Sequence, residues 1–156
     1  MRTSAGLLLY RTGSDGIEVL LVHMGGPFWA KKDAAGWSIP KGEYESVEDP
    51  HDAATREFTE ELGAPPPPPA GDDPDLDLGT LKQSSSKLVT VFARSGSFDA
   101  DSISSNLIEI QWPPRSGRTI VIPEVDRAQW CDLGSAAVKL VKGQVPFLDR
   151  LVARLS

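Results

Sequence analysis

The stretch Gly42–Ala64 constrains this chain more than any other part of it. It reads Gly-Glu-Tyr-Glu-Ser-Val-Glu-Asp-Pro-His-Asp-Ala-Ala-Thr-Arg-Glu-Phe-Thr-Glu-Glu-Leu-Gly-Ala. Asp49 suits a helix N-cap, Pro50 suits the first helical position, and Asp52 adds a carboxylate near the positive helix start. Ala54, Phe58 and Leu62 recur at four-residue spacing and form one apolar stripe. Gly63 can adopt the left-handed turn that ends a helix, and the prolines after Ala64 prevent continuation. The spacing predicts a helix over Pro50–Leu62.

On that helix Glu57, Glu60 and Glu61 fall at i, i+3 and i+4, so they share a face. Unrelieved, neighbouring carboxylates repel by roughly 0.2–0.5 kcal/mol per pair. Arg56 is a single cation beside them. A hard divalent cation relieves the conflict, because Mg²⁺ takes oxygen ligands, keeps several waters and shares its other positions with substrate phosphates. The plain alternative is a solvated acidic helix face.

The complete spacing decides between the two. Gly42, five residues, Glu48, seven residues, Arg56-Glu57, apolar Phe58, one residue, Glu60-Glu61, one residue, Gly63 and apolar Ala64 resembles the signature of the Nudix hydrolases. At ordinary residue usage such a pattern arises by chance in about one window in 10⁶. The resemblance implies the α/β class, specifically an α/β/α Nudix sandwich with a central mixed sheet. It also implies hydrolysis of a diphosphate linkage in a nucleoside diphosphate joined to another group.

By that resemblance Glu57, Glu60 and Glu61 are metal-binding carboxylates for Mg²⁺, with Mn²⁺ as the alternative ion. The backbone carbonyl at the Lys41–Gly42 turn is a further ligand. Glu48 acts through water or orients the cluster, and Arg56 fixes a catalytic glutamate by ion pairing. The family draws its general base from the helix, here Glu60 or Glu57, or from a later loop or strand. Glu109, a lone acid in an alternating apolar strand, is the later candidate, and Glu124 is a third.

The segment Trp37-Ser38-Ile39-Pro40-Lys41-Gly42-Glu43 resembles the variant in Nudix enzymes similar to diadenosine polyphosphate hydrolases. It implies a dinucleoside polyphosphate substrate. That branch generally carries a tyrosine beyond the signature, and none follows Tyr44 here. A nucleoside triphosphate pyrophosphohydrolase acting on damaged nucleotides is therefore the second expectation. A non-catalytic nucleotide sensor on the same fold is the third.

Composition narrows the partners. A 156-residue chain with 40% apolar content is expected to form one domain over residues 1–156, with a Pro-rich surface loop at 64–75. A net charge of −6 argues against a nucleic-acid polymer or an anionic membrane as partner. A phosphorylated nucleotide remains compatible if metal ions and a few lysines reverse the local field. Cys131 is the only cysteine, which excludes an intramolecular disulfide and a multi-cysteine zinc site. The apolar run Ala5–Tyr10 is too short for a signal or membrane segment. The expectation is a cytoplasmic enzyme, monomeric or homodimeric.

Along the chain, Thr3–Arg11 and Ile17–Met24 read as strands around a turn at Gly13–Gly16. His23 reads as a satisfied core or edge histidine. The loop Gly25–Gly36 carries Phe28, Trp29, Lys31 and Lys32, residues suited to a base and its phosphates. Trp37–Gly42 is a short strand and tight turn. Pro65–Pro69 is a stiff surface connector. Strands follow at Leu76–Gln83, Lys87–Ser95, Asn106–Trp112 and Ile120–Ile122, with a last one over Glu124–Asp132. Helical stretches at Ser135–Lys142 and Pro146–Leu155 break at Gly143, with Val138, Val141, Phe147, Leu148, Leu151 and Leu155 as apolar stripes. Lys87, Arg115 and Arg118 join the two loop lysines as candidates for phosphate contact.

Overall fold

An apolar run that is buried on both faces has to lie in the middle of a layered sheet, and Ala5–Leu9 is such a run. The computed structural model describes residues 1–156. The elements are β1 (Arg2–Gly13), β2 (Gly16–Met24), β3 (Trp37–Ser38), β4 (Lys41–Glu43) and α1 (Pro50–Leu62). Then come β5 (Leu76–Ser84), β6 (Lys87–Ser95), β7 (Leu107–Gln111), β8 (Thr119–Pro123) and β9 (Val125–Asp132). The chain ends with α2 (Leu133–Lys139), a 3₁₀ turn at Lys142–Gln144, and α3 (Pro146–Leu155).

β1 organises the main sheet. Along one edge it pairs in parallel with β6, from Arg2 opposite Lys87 to Tyr10 opposite Ser95. Its other edge is divided between two antiparallel partners, β4 at Ser4–Gly6 and β2 at Tyr10–Gly13. Between them the Leu7 amide donates to the Pro40 carbonyl at 3.1 Å. A Cβ on Gly6 would fall 2.9 Å from that carbonyl oxygen, so glycine is what lets the chain cross there. The seven-stranded mixed sheet runs β3-β2-β1-β6-β5, with β4 also on β1 and β9 also on β2. β7 and β8 form a separate antiparallel ribbon.

Alternation along β1 and β2 supplies both faces of the sheet. Leu7, Leu9, Leu20 and Val22 pack with Ala53, Ala54, Phe58 and Leu62 of α1. Leu8, Val19 and Leu21 point the other way, onto Ala136, Phe147 and Leu151 of the C-terminal helices and Leu140 between them. The result is the expected α/β/α arrangement. His23 is buried, as expected, and so is Cys131.

Several boundaries differ from the sequence expectation. α2 spans Leu133–Lys139 rather than Ser135–Lys142, because the Asp132 carboxylate accepts from the Ser135 amide at 2.7 Å and fixes an earlier start. Leu140 then leaves the helix to bridge with Trp37. Val138 and Leu155 are largely exposed, so the expected stripe is incomplete, and Ala136 and Leu140 fill its place in the core. The Asn106–Trp112 strand shortens to Leu107–Gln111 and joins the ribbon, not the sheet. No helix is long and apolar enough to cross a membrane.

The Pro-rich loop is strapped to the body. Arg94 donates to both oxygens of Asp75 at 2.8 and 2.7 Å, His51 Nε2 lies 2.6 Å from the same carboxylate, and Arg94 also donates to the Pro67 carbonyl at 3.2 Å. Burial pushes the Asp75 carboxyl upward, but Arg94 and His51 outweigh it and leave it below its ordinary value.

Gln144, fully buried, ties the 3₁₀ turn to the strands. It accepts from the Ile39 amide at 2.8 Å and donates to Ser38 Oγ and Gln83 Oε1, each at 3.0 Å. Gln144→Ala strands these buried groups. It is expected to cost about 2–4 kcal/mol in urea unfolding, and an unchanged midpoint would show the turn to be held otherwise.

Candidate active site

The helix α1 forms where its caps dictate. Asp49 accepts from the Asp52 amide at 3.1 Å, and Gly63 closes the last turn at φ 79° with its amide on Thr59 O at 2.8 Å. Burying Ala54, Phe58 and Leu62 turns the neighbouring helical row toward β4. Glu57 and Glu61 lie on that row, only 7% and 4% exposed, while Glu60 stays at the surface. Gly42 of β4 faces Glu57 so closely that a Cβ there would collide with the carboxylate. Glycine at this position is therefore a packing requirement of the acid cluster.

Arg56 is the hub of the outer acids. It grips Glu48 with two hydrogen bonds of 2.9 Å each, donates to Glu57 at 2.8 Å, and reaches Glu60 at 3.3 Å. Glu48 holds the guanidinium firmly charged, and Arg56 in turn keeps the Glu48 carboxyl below its usual range. Glu57 goes the other way. Burial, with Glu60 adding repulsion, raises its carboxyl above the ordinary value despite Arg56.

The inner acids are harder pressed. Burial raises Glu61 well above the usual carboxylate range, and Glu124 adds to this by its charge and by taking a hydrogen bond from the neutral carboxyl. Glu124 is itself held by Asn106, whose side-chain amide donates at 3.0 Å. Lys41 lies in the same crevice, its ammonium pushed down by burial and supported by Glu61. The cleft above these groups is walled by Glu57, Glu60 and Glu124 with Lys41, Lys87 and Arg2.

Beside the cleft and sharing Lys41 and Glu124 with it lies an apolar slot of about 250 Å³, which Glu61 also lines. Phe28 and Trp29 of the Gly25–Gly36 loop stand on one side, and Ile108, Ile110 and Ile122 of the β7–β8 ribbon on the other. The loop is pinned by His23, whose Nε2 donates to the Lys32 carbonyl at 2.7 Å and whose Nδ1 lies 2.8 Å from Asp126 Oδ1.

The sequence candidates separate accordingly. Glu48, Arg56, Glu57, Glu60, Glu61, Lys41 and Gly42 come together. Trp29 lines the slot and Lys87 the cleft. Glu109 does not turn inward. It is exposed, because the alternation of β7 gives Ile108 and Ile110 the inner face and leaves Glu109 on the outer one. Glu124, the third choice for a base, occupies the inner position instead. Lys31 is exposed and outside the cleft, and Lys32 packs its ammonium over Phe28 at 3.9 Å. Arg115 and Arg118 are exposed in the turn of the ribbon and line neither cavity. The isoleucines of the ribbon and Arg2 were not singled out from sequence. Only the shared parity of Ile108 and Ile110 hinted at an apolar wall.

The donor set suits a hard divalent cation. Its atoms are carboxylate oxygens, and those of Glu57 and Glu61 are held protonation-prone first by burial and then by the charge of neighbouring carboxylates, which a cation would offset. A second acidic group, Asp49, His51 and Asp52, brings ligand-type atoms within 4.8 Å of one another. Asp49 is spent on the helix cap and His51 on Asp75.

Comparison with known proteins agrees with this geometry. The family profile described as NUDIX domain matches residues 1–154. The chain therefore belongs to the Nudix family. A binary complex of Ap4A hydrolase from C. elegans superposes with a TM-score of 0.64 at 21% identity, covering 99% of this chain and 98% of that one. The NUDIX domain of Shewanella oneidensis NrtR, complexed with ADP ribose, gives 0.64 at 16% identity over 99% and 88% of the two chains. A MutT protein from Methanosarcina mazei Go1 gives 0.61 at 18% identity over 99% and 95%. At these identities the likeness is one of fold. A search of curated protein sequences finds no significant match.

A carboxyl whose folded value lies above its ordinary value of 4.5 binds its proton more tightly in the folded chain. Folding is then favoured below that ordinary value and loses stability as pH rises above it. In metal-free protein at pH 7–8, Glu61→Gln is expected to raise the thermal midpoint. A lowered midpoint would mean that the buried carboxylate is already paired.

Proposed function

We propose that this chain hydrolyses a diphosphate linkage in a nucleoside diphosphate-X substrate, acting as one domain with Mg²⁺, or Mn²⁺ in its place. The observation that carries this is the joining of an acid-walled cleft to an aromatic slot through the shared residues Lys41 and Glu124. A dinucleoside polyphosphate stands first among substrates, on the Trp37–Glu43 segment. The setting proposed is the cytoplasm.

Glu57, Glu60 and Glu61, with the Lys41 carbonyl and Glu124, form the set that would hold the ion. When bound, a divalent ion neutralises phosphate oxygens and lowers the pKa of an attacking water. Arg56 keeps Glu57 and Glu60 in register by gripping both while anchored on Glu48. Lys41, Lys87 and Arg2 meet the charge of the polyphosphate chain. Glu60 is the exposed member of the cluster and has the longest of the Arg56 contacts, which leaves it freest to accept the proton of the attacking water. Glu124 is the second choice, and Glu109 is not assigned to proton transfer.

Loss of a general base typically costs about 10²–10⁴ in rate. Glu60→Gln is expected to lower kcat within that range at saturating Mg²⁺. Glu109→Gln is expected to turn over like wild type. The assay is release of phosphate-bearing products from dinucleoside polyphosphates, nucleotide sugars, ADP-ribose and nucleoside triphosphates. A Glu60→Gln enzyme at near wild-type rate would remove that residue from the mechanism.

A nucleoside triphosphate substrate is the second reading, favoured by the absence of any tyrosine after Tyr44. A sensor without turnover stands third, and the complete set of signature carboxylates weighs against it.

A further inference from the structure

We propose that Asn106 is a positioning residue for Glu124: it registers that carboxylate against the end of α1 and satisfies one of its oxygens without neutralising it. This rests on the pyrophosphohydrolase reading above and extends it to a residue that lines neither the cleft nor the slot.

Glu124 belongs to no helix or strand. It stands between the end of β8 at Pro123 and the start of β9 at Val125, so nothing in its own element aligns it with α1. Asn106 supplies that alignment. The last four carbonyls of a helix have no partner within it. Here the Asn106 amide donates to the Glu60 carbonyl at 3.0 Å, and the Ser104 amide donates to that of Leu62 at 3.2 Å. A Cβ on Gly63 would strike the Ser104 carbonyl, so glycine at the helix end is what admits this segment. On its other side the Asn106 carbonyl accepts from the Glu124 amide at 3.0 Å, one step beyond the ladder pair of Leu107 and Pro123. A single residue thus ties the backbone of Glu124 to that of Glu60.

The side chain then aims the carboxylate. Its amide donates to Glu124 Oε1 at 3.0 Å, while its Oδ1 lies 3.3 Å from the Ser105 hydroxyl. A carboxylate only accepts and a hydroxyl can donate, so both ends fix which way the amide points. Ser105 Oγ also accepts from the Val125 amide at 3.1 Å, which holds the residue after Glu124. Glu124 faces the buried Glu61, and their charges oppose one another. A side chain left free would swing away from the acidic row, and the Asn106 donor prevents it.

The neutrality of that donor matters. Glu48 is gripped by the guanidinium of Arg56, so its charge is already matched. A primary amide gives Glu124 a hydrogen bond and leaves its full negative charge for a cation. Carboxylates that hold metal ions are themselves held by such outer donors, whose loss typically costs about 10–100-fold in ion affinity or activity.

The test reads ion binding as well as turnover. Mn²⁺ alone is titrated by electron paramagnetic resonance into wild type, Asn106→Ala, Glu124→Gln and the double variant. Hydrolysis of the substrate panel above is followed in parallel with Mg²⁺. Asn106→Ala is expected to weaken Mn²⁺ binding and to lower kcat, each by about 10–100-fold. In the Glu124→Gln background the same change is expected to add less than about twofold, because the group it serves is already gone. Asn106→Gln, which keeps a neutral donor, is expected to recover part of the loss. Asn106→Leu, similar in shape but without the donor, reads the same way should the alanine variant fail to fold. A variant lacking the donor that binds Mn²⁺ and turns over like wild type would overturn the inference. So would an equal loss in both backgrounds, which would make Asn106 a prop of the fold and not of Glu124. Coupled Mn²⁺ binding with no hydrolysis by wild type sinks only the pyrophosphohydrolase reading, and hydrolysis without the coupling sinks only this inference.

Discussion

Two carboxyls of one helix, Glu57 and Glu61, are buried within a turn of each other, and a third from β9's approach, Glu124, is set against them. Such crowding is unfavourable by itself, since desolvation and like charge both penalise ionisation. The surroundings contain the strain without removing it. Arg56 spreads one charge over Glu48, Glu57 and Glu60, and Lys41 stands beside Glu61 and Glu124. The apolar packing of Ala54, Phe58 and Leu62 holds the helix in place while its acidic row stays frustrated.

The sheet is arranged so that this frustration faces a cleft. Dividing one edge of β1 between β4 and β2 brings Lys41–Glu43 alongside the start of β1 and directly over the acidic row. Gly6 and Gly42 make the two close approaches possible, one for the Pro40 carbonyl and one for the Glu57 carboxylate. The fold thus supplies geometry at backbone precision, and the side chains supply charge.

Much of this was legible in the sequence, for reasons that differ by element. The helix α1 carried its own caps and stripe, so its bounds, Pro50–Leu62, follow from local chemistry alone. The signature spacing brought Glu48, Arg56, Glu57, Glu60 and Glu61 together correctly because one helix and its lead-in fix their relative positions. Glu109 was misplaced because a lone acid was weighed above the parity of its neighbours: Ile108 and Ile110 share a face, and Glu109 must take the other. Lys31, Lys32, Arg115 and Arg118 lie in loops and turns, where no periodicity says which way a side chain points. Val138 looked like core by pattern, but the earlier helix start set by Asp132 rotated it into solvent.

The β7–β8 ribbon hydrogen-bonds as its own two-stranded unit, yet it contributes one wall of the apolar slot. Its isoleucines belong to neither of the two core clusters on which the folded state depends. That wall of the slot and the two core clusters are therefore different pieces of the molecule, although Val22 and Val125 line the slot from the core side. Exchanging the ribbon's three isoleucines reshapes one side of a cavity while the clusters that hold the sheet to its helices keep every member.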